Sequence, residues 1–337
     1  MKFSILNDKI VMNMSDSSFL NDNKTVMLSN LDNNRLQGFQ TSKSKEKSIV
    51  ASIGEYIERQ YLIEQNKYAG DFDVQAFSLL NKNEVSIKSS DVKKKYILID
   101  SLGMATHKTS KECIKNALSE FIERQSFIFN YLSKKCGQSI DINRFGYTNT
   151  NDYFKNIKFY NISLIKEYYV VIGKGMIEDK FCIGLGSSNS MREAINKCMN
   201  EIKQCKIPVG KSEKKNLYIR EKKLNYIDYF LAIEPTRLDN AYKYLDLGSN
   251  IIESSEDYLD FDLEKIISSL WYNCKMNPLI TVYNTRKSKI NIKAIHIFDL
   301  NWFPSMMVYR YCEDNYRYIE EVMDCKLDRN CNFIPIA

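Results

Sequence analysis

Ser52-Ile53-Gly54-Glu55-Tyr56-Ile57-Glu58-Arg59-Gln60 and Ala117-Leu118-Ser119-Glu120-Phe121-Ile122-Glu123-Arg124-Gln125 are two copies of one pattern, 65 residues apart. Each copy carries Glu at i, Glu at i+3 and Arg at i+4, which project from one side of an α-helix. Around the first copy, Ile49, Ile53, Ile57 and Tyr61 recur at spacing four, so a helix with one buried stripe is expected from about Lys45 to Asn66. The second is expected from about Ser110 to Ser133, opened by Thr109-Ser110-Lys111-Glu112 in the manner of a capping box. Two copies and a looser third, at a shift longer than solenoid units use, point to internal pseudo-symmetry around one site rather than a repeat array.

Outward from these helices, strand and helix signals alternate. Strands are expected at Lys95–Asp100, Ile157–Ile162, Glu167–Ile172 and Lys180–Ile183, the last leading into Gly184-Leu185-Gly186 read as a strand-to-helix turn. A third helix opens near Ser190, a candidate N-cap, and runs to about Cys205, with Pro208 and Gly210 as its stop. Leu263–Asn273 reads as helix, and Pro278–Tyr283 and Ile290–Phe298 as strands. The fold class is mixed α/β, and the 337 residues are expected to form one domain, with the site motifs at about 40–205 and residues 206–337 completing the fold.

Composition narrows the function. A chain that is 44% hydrophobic and 27% charged buries a core, which excludes a disordered or fibrous protein. The formal charge of +6 names no nucleic acid, and Lys93-Lys94-Lys95 and Lys214-Lys215 read as solvated faces. Nine cysteines without a Cys-x-x-Cys pair read as reduced, structural thiols. With only His107 and His296, Ser-His-Asp or Cys-His catalysis has little material, and His296 sits in a strand-like run. The N-terminus turns polar before a signal-peptide core can form, and no stretch reaches membrane-span length, so a soluble, cytoplasmic protein is expected.

On the third helix Glu193, Lys197, Glu201 and Gln204 form a further stripe. Carboxylates from three helices in one volume would repel and would be costly to desolvate, so their convergence calls for a metal. Magnesium fits, since it takes hard oxygen ligands from a few carboxylates and from substrate phosphates. Arg59 and Arg124 would then clamp phosphate oxygens. The plain alternative is a set of ordinary Glu and Arg pairs on solvated faces. The Gly184-Leu185-Gly186 segment lacks the Gly-Lys-Ser/Thr ending of a phosphate loop.

These motifs resemble the YcaO family. Ser52-x-x-Glu55-x-x-Glu58-Arg59 is similar to its Ser-x-x-Glu-x-x-Glu-Arg motif. Ser101-Leu102-Gly103-Met104-Ala105-Thr106, leading to Glu120-Phe121-Ile122-Glu123-Arg124, is similar to its second block, and Gly184-Leu185-Gly186 through Glu193 to Glu201-Ile202-Lys203-Gln204 to its third. The resemblance implies a mixed α/β fold with stacked sheets and an ATP site in which acidic helices hold Mg2+. By carry-over, Glu55, Glu58, Glu120, Glu123, Glu193 and Glu201 are the metal candidates. Lys43, Ser52, Glu55, Arg59, Glu120, Arg124, Glu193 and Gln204 are the nucleotide candidates, Lys43 standing where the family often has Gly-Lys-Gly.

The activity it implies is ATP-dependent cyclodehydration. A Cys, Ser or Thr of a ribosomal precursor peptide attacks the preceding carbonyl, the amide oxygen is phosphorylated, and phosphate leaves to give a thiazoline or oxazoline. No protein nucleophile is needed, and no general base is identified. Implied partners are the precursor peptide and a separate leader-peptide-binding protein, with an azoline dehydrogenase in the same complex and a homodimer as further associations; no nucleic acid or membrane is expected. Phe333-Ile334-Pro335-Ile336-Ala337 is at best a remnant of the Pro-x-Pro-x-Pro tail of azoline-forming members. Thioamide formation, amidine formation and a non-catalytic nucleotide-binding subunit therefore stay open as alternatives.

Overall fold

A computed structural model describes residues 2–5, 8–16, 24–32, 37–42, 44–65, 72–94, 97–98, 100–147, 156–177, 180–204, 233–248, 250–252, 260–283 and 292–336. In chain order the elements are β1 (Lys2–Ile5), β2 (Asp8–Asp16), β3 (Lys24–Asn30), β4 (Gln37–Ser42), α1 (Lys45–Gln65), β5 (Asp73–Ser78), β6 (Asn83–Lys88), α2 (Ser89–Lys94), β7 (Met104–His107), α3 (Ser110–Ser133), β8 (Gln138–Ile140), β9 (Ile157–Asn161), β10 (Tyr169–Ile177), β11 (Lys180–Ser188), α4 (Met191–Gln204), α5 (Pro235–Ala241), β12 (Ile251–Ile252), α6 (Leu263–Cys274), β13 (Leu279–Val282), β14 (Lys293–Phe298) and α7 (Glu313–Met323). The mixed α/β class expected from sequence is the class observed.

These elements divide into two compact units, residues 1–125 with 262–324, and residues 126–261 with 325–337. The first unit holds two sheets, ordered β1-β2-β3-β4 and β6-β5-β13-β14-β7, every pairing antiparallel. The expected stripe of α1 is its packing face: Ile49, Ile53, Ile57 and Tyr61 lie with Tyr56 against Ile10, Val26 and Leu28 of the four-stranded sheet. At this seam a Cβ on Gly38 would stand 2.1 Å from the carbonyl oxygen of Ser52, so only glycine lets β4 come this close to α1. The four-stranded sheet has no counterpart among the expected elements, although the alternation of Ile10, Met12 and Met14 carries a strand signal.

The second unit holds the sheet β11-β10-β9-β8-β12, antiparallel except for β12 on β8. Helix α4 covers one face of it, with Met191, Ala194, Ile195, Cys198, Met199 and Ile202 packed on Val171, Ile177 and Cys182. Beside this core, Lys174 of β10 is buried, and its ammonium lies 2.8 Å from Asp246 and 3.6 Å from Asp239. Lys158 and the Tyr160 hydroxyl also bond Asp246. Desolvation works against the ionised Asp246, but the hydrogen bonds from Lys174, Tyr160 and Lys158 outweigh it and hold its carboxyl at about 2.

Two expectations are corrected. The strand expected at Lys95–Asp100 is absent among the described residues: Ile97 and Leu98 form a turn, with Leu98 at φ 61° and Ile97 N–H bonded to the Val92 carbonyl. Its apolar centre is buried because the turn packs beside β5 and β6, not because it joins a sheet. Gly184-Leu185-Gly186 is no strand-to-helix turn. It lies inside β11, where a Cβ on Gly186 would stand 2.2 Å from the Ala194 carbonyl oxygen and 2.4 Å from Cys198 N of α4. The glycines are there because a helix backbone lies directly on them.

Gly186→Val is therefore expected to cost about 3 kcal/mol of stability, the upper end for overpacking, since the clash is with backbone that cannot rotate away. A thermal melt followed by circular dichroism checks this.

Candidate active site

Helix α1 places Glu55 and Arg59 one turn apart, and Arg59 Nη2 donates to Glu55 Oε1 at 2.5 Å while Nη1 donates to the Gln37 carbonyl. Glu58 takes a different partner. Thr106 of β7 donates its hydroxyl to Glu58 Oε1 at 3.0 Å. Gly54, one turn earlier on the same helix face, leaves room for this: a Cβ there would stand 2.9 Å from Thr106 Oγ1. The carboxylate of Glu58 is desolvated by burial, partly relieved by the Thr106 bond and then repelled by Glu55, which lifts it to about 8.

Helix α3 supplies the second acid. Burial raises Glu120 well above the usual carboxylate range; Arg124 opposes the shift, and Glu58, Glu123 and Asp100 add to it. Glu123 is buried, with Arg124 Nε 3.9 Å from its Oε1. The two copies of the sequence pattern are thus alike in their apolar positions, with Ser52 and Ala117, Tyr56 and Phe121, and Ile57 and Ile122 all fully buried. They differ in their acids: the electrostatic opposition runs from Glu58 in the first copy to Glu120 in the second.

Asp100 and Arg310 complete this group and were not among the sequence candidates. Arg310 Nη1 lies 3.5 Å from Asp100 Oδ2 and 3.2 Å from Ser305 Oγ. Asp100 directly precedes the Ser101–Thr106 block, a position that flags it; Arg310, nearly two hundred residues beyond α3, has no sequence signal.

The other candidates have partners of their own. Ser52 is fully buried and donates its hydroxyl to the Val26 carbonyl of β3. In the second unit, Glu193 accepts from the Ser188 hydroxyl at 2.7 Å and lies 4.0 Å from Lys197 Nζ, which also donates to the Ser187 carbonyl. Glu201 accepts the Leu185 N–H of edge strand β11 at 2.8 Å. The Ser190 hydroxyl accepts Glu193 N–H, as an N-cap does. Lys43 and the side chain of Gln204 lie outside the described residues. His296 is a buried strand residue, as expected, held near 4 by burial despite its hydrogen bond to Leu102.

Among the described residues, no three His, Cys, Asp or Glu side chains gather closely enough to hold a metal ion by themselves. The acids of the first unit nonetheless suit a divalent cation that brings further oxygen ligands. Glu55, Glu58, Glu120, Glu123 and Asp100 face Arg59, Arg124 and Arg310, which leaves two negative charges unmatched when all five acids ionise. Magnesium supplies that charge and normally completes its shell with waters and phosphate oxygens. Glu58 and Glu120 are the residues that would hold it.

Comparison with known proteins adds a family. The signature of the YcaO cyclodehydratase family, described as ATP- and Mg2+-binding, matches residues 74–298, beginning after α1. No curated protein matches the chain by sequence. Among solved structures, the Escherichia coli microcin synthetase McbBCD complex contains a chain that superposes with a TM-score of 0.68 at 15% identity over 97% of this chain and 96% of that one. The same complex with pro-MccB17 bound gives 0.67 at 16% over 89% of each. YcaO from Methanopyrus kandleri, bound with AMPPCP and Mg2+, gives 0.64 at 11% over 87% and 85%. Identities this low speak for the fold alone.

Because Glu58 is held near 8, it is protonated at pH 7 and must ionise to meet a cation. Mg2+ with nucleotide is expected to release protons on binding at pH 7, and to bind more tightly as pH rises from 6 to 8. Calorimetry in buffers of different ionisation enthalpy measures the released protons directly.

Proposed function

The chain belongs to the YcaO cyclodehydratase family, and from that premise we propose that it converts Cys, Ser or Thr of a ribosomal precursor peptide to thiazoline or oxazoline at the expense of ATP. The observation that carries the proposal is the desolvated opposition of Glu58 and Glu120 on two helices of matching sequence. A charge arrangement this unfavourable is retained where a cation relieves it.

ATP and Mg2+ are the family's cofactors; bound together, they supply the phosphoryl group for an amide oxygen and the positive charge that the acids lack. The protein's own part is binding and orientation. Glu58 and Glu120 hold the cation once ionised, and Thr106 fixes the rotamer of Glu58. Arg124, beside Glu120 and Glu123, would meet phosphate oxygens, and Arg59, tied to Glu55 and the Gln37 carbonyl, would fix the solvent side of α1. In the reaction the peptide side chain would give up its S–H or O–H proton to solvent as it adds to the preceding carbonyl, the oxyanion would be phosphorylated with release of ADP, and phosphate would leave as the amide nitrogen loses its proton. One water equivalent is lost from the peptide, and ATP becomes ADP and phosphate.

The proposal includes a separate protein that binds the peptide leader, an azoline dehydrogenase in the same complex and a homodimeric arrangement. The matched McbBCD, a synthetase complex with pro-MccB17 bound, supports partner proteins and a peptide substrate. The family match draws on residues of both units, which supports treating them as one functional domain. No described helix is long and apolar enough to cross a membrane.

The test is to incubate the chain, its leader-binding partner and a candidate precursor with Mg2+ and ATP, then weigh the peptide. Loss of one water per modified residue is expected. Exchange of oxygen for sulfur in the presence of sulfide would replace the ring product with a thioamide, and an unchanged peptide would sink the enzymatic reading. Glu58→Gln and Glu120→Gln should each lower kcat by at least about a hundredfold. Their melting temperatures should not fall, since amides replace acids that repel each other.

A further inference from the structure

His296 lies in the middle of the first unit, fully enclosed, and both ring nitrogens are engaged. Nε2 lies 2.7 Å from the Leu102 carbonyl oxygen, and Nδ1 lies 3.1 Å from the Tyr283 hydroxyl. A carbonyl oxygen only accepts, so Nε2 carries the proton, and Nδ1 must then accept from the tyrosine. With the ring kept neutral by burial, the tautomer follows from these partners.

Each partner leads to a different part of the acidic site. Leu102 belongs to the segment that carries Asp100, and its own N–H is taken by Asp100 Oδ1 at 3.0 Å. That segment is pressed onto β14 next to the histidine. Ile297 N–H bonds the Gly103 carbonyl at 2.8 Å, and Gly103, at φ 79°, has no space for a Cβ, which would stand 2.2 Å from the Ile297 carbonyl oxygen. Past Gly103 the chain enters β7, whose Thr106 orients Glu58. In the other direction, the Tyr283 ring stacks on Tyr61 of α1, centroids 5.7 Å apart, one turn beyond Glu58. His296 therefore joins the segment of Asp100 and Thr106 to the helix of Glu55 and Glu58, touching neither an acid nor any open surface.

We propose that His296 and Tyr283 are a positioning pair for the cation and nucleotide site, setting the spacing between the carboxylates of α1 and the Asp100 segment. The inference rests on the functional reading above. It goes beyond it by assigning a role to two residues far from the acidic helices in sequence, through hydrogen bonds at both ring nitrogens. A chain position that merely filled the core would be equally well served by any side chain of the same volume; this one must donate at one end and accept at the other.

The test uses the full chain and three variants: Tyr283→Phe, which keeps the stack on Tyr61 and removes the donor; His296→Leu, which removes both bonds; and His296→Gln, whose amide nitrogen can reach the Leu102 carbonyl. Calorimetry gives the dissociation constant of Mg2+ with a non-hydrolysable ATP analogue for each, normalised to the folded fraction from circular dichroism. Tyr283→Phe and His296→Leu are expected to weaken binding at least about tenfold, and His296→Gln to recover most of the loss. A folded Tyr283→Phe and a folded His296→Leu that both bind as the wild type does would overturn the proposal. If His296→Leu does not fold, unchanged binding by Tyr283→Phe overturns it alone. A wild-type chain that binds no Mg2+ nucleotide overturns the functional reading itself, and the positioning role with it.

Discussion

Two acids that cannot comfortably ionise together set the terms for the first unit. Glu58 and Glu120 are desolvated, Glu55 adds to the rise at Glu58 and Glu58 to the rise at Glu120, so the cluster spends the absence of a cation partly neutral. What keeps them in place is the surrounding frame rather than any attraction between them. Helix α1 is anchored by its apolar stripe to the four-stranded sheet, and Asn30 donates to the Tyr56 hydroxyl at 2.8 Å across that seam. Helix α3 is anchored near the acids by Gln125, whose amide both donates to the Phe303 carbonyl and accepts Phe303 N–H. Remove the anchors and the acids would separate into water, where no cation would be needed.

Asp299 accepts the N–H groups of Asn277, Asn301 and Trp302, so the chain leaving β14 turns under a buried carboxylate with its oxygens occupied. Cys113 donates to the Ala105 carbonyl; burial and then the Glu58 charge push its thiol up to about 11. A buried thiol raised this far stays protonated and serves as a small filler. The second unit solves a different problem. There the glycines of β11 let α4 lie almost in backbone contact with the sheet, and the ion pairs of Lys174 hold α5 and the turn after it on the strands beneath.

The sequence by itself settled what local forces settle. The spans of α1, α3 and α6 match the periodicity of their apolar residues within a residue or so, because a helix stripe is a property of neighbours three and four apart. The family, the acidic helices and the scarcity of histidine were equally plain. What the sequence did not show depends on partners distant in the chain. The four-stranded sheet is built from short, partly polar strands whose one buried face exists only once α1 covers it, and Ile97 and Leu98 look like a strand until β5 and β6 are there to bury them as a turn. Gly184 and Gly186 read as a loop because glycine marks turns, yet here it marks the approach of a helix. Tertiary structure alone decided that Glu58 opposes Glu120, that Asp100 and Arg310 join them, and that His296 is neutral. Each of these rests on desolvation and on charges brought near from elsewhere in the chain, and neither is encoded in the spacing of residues along it.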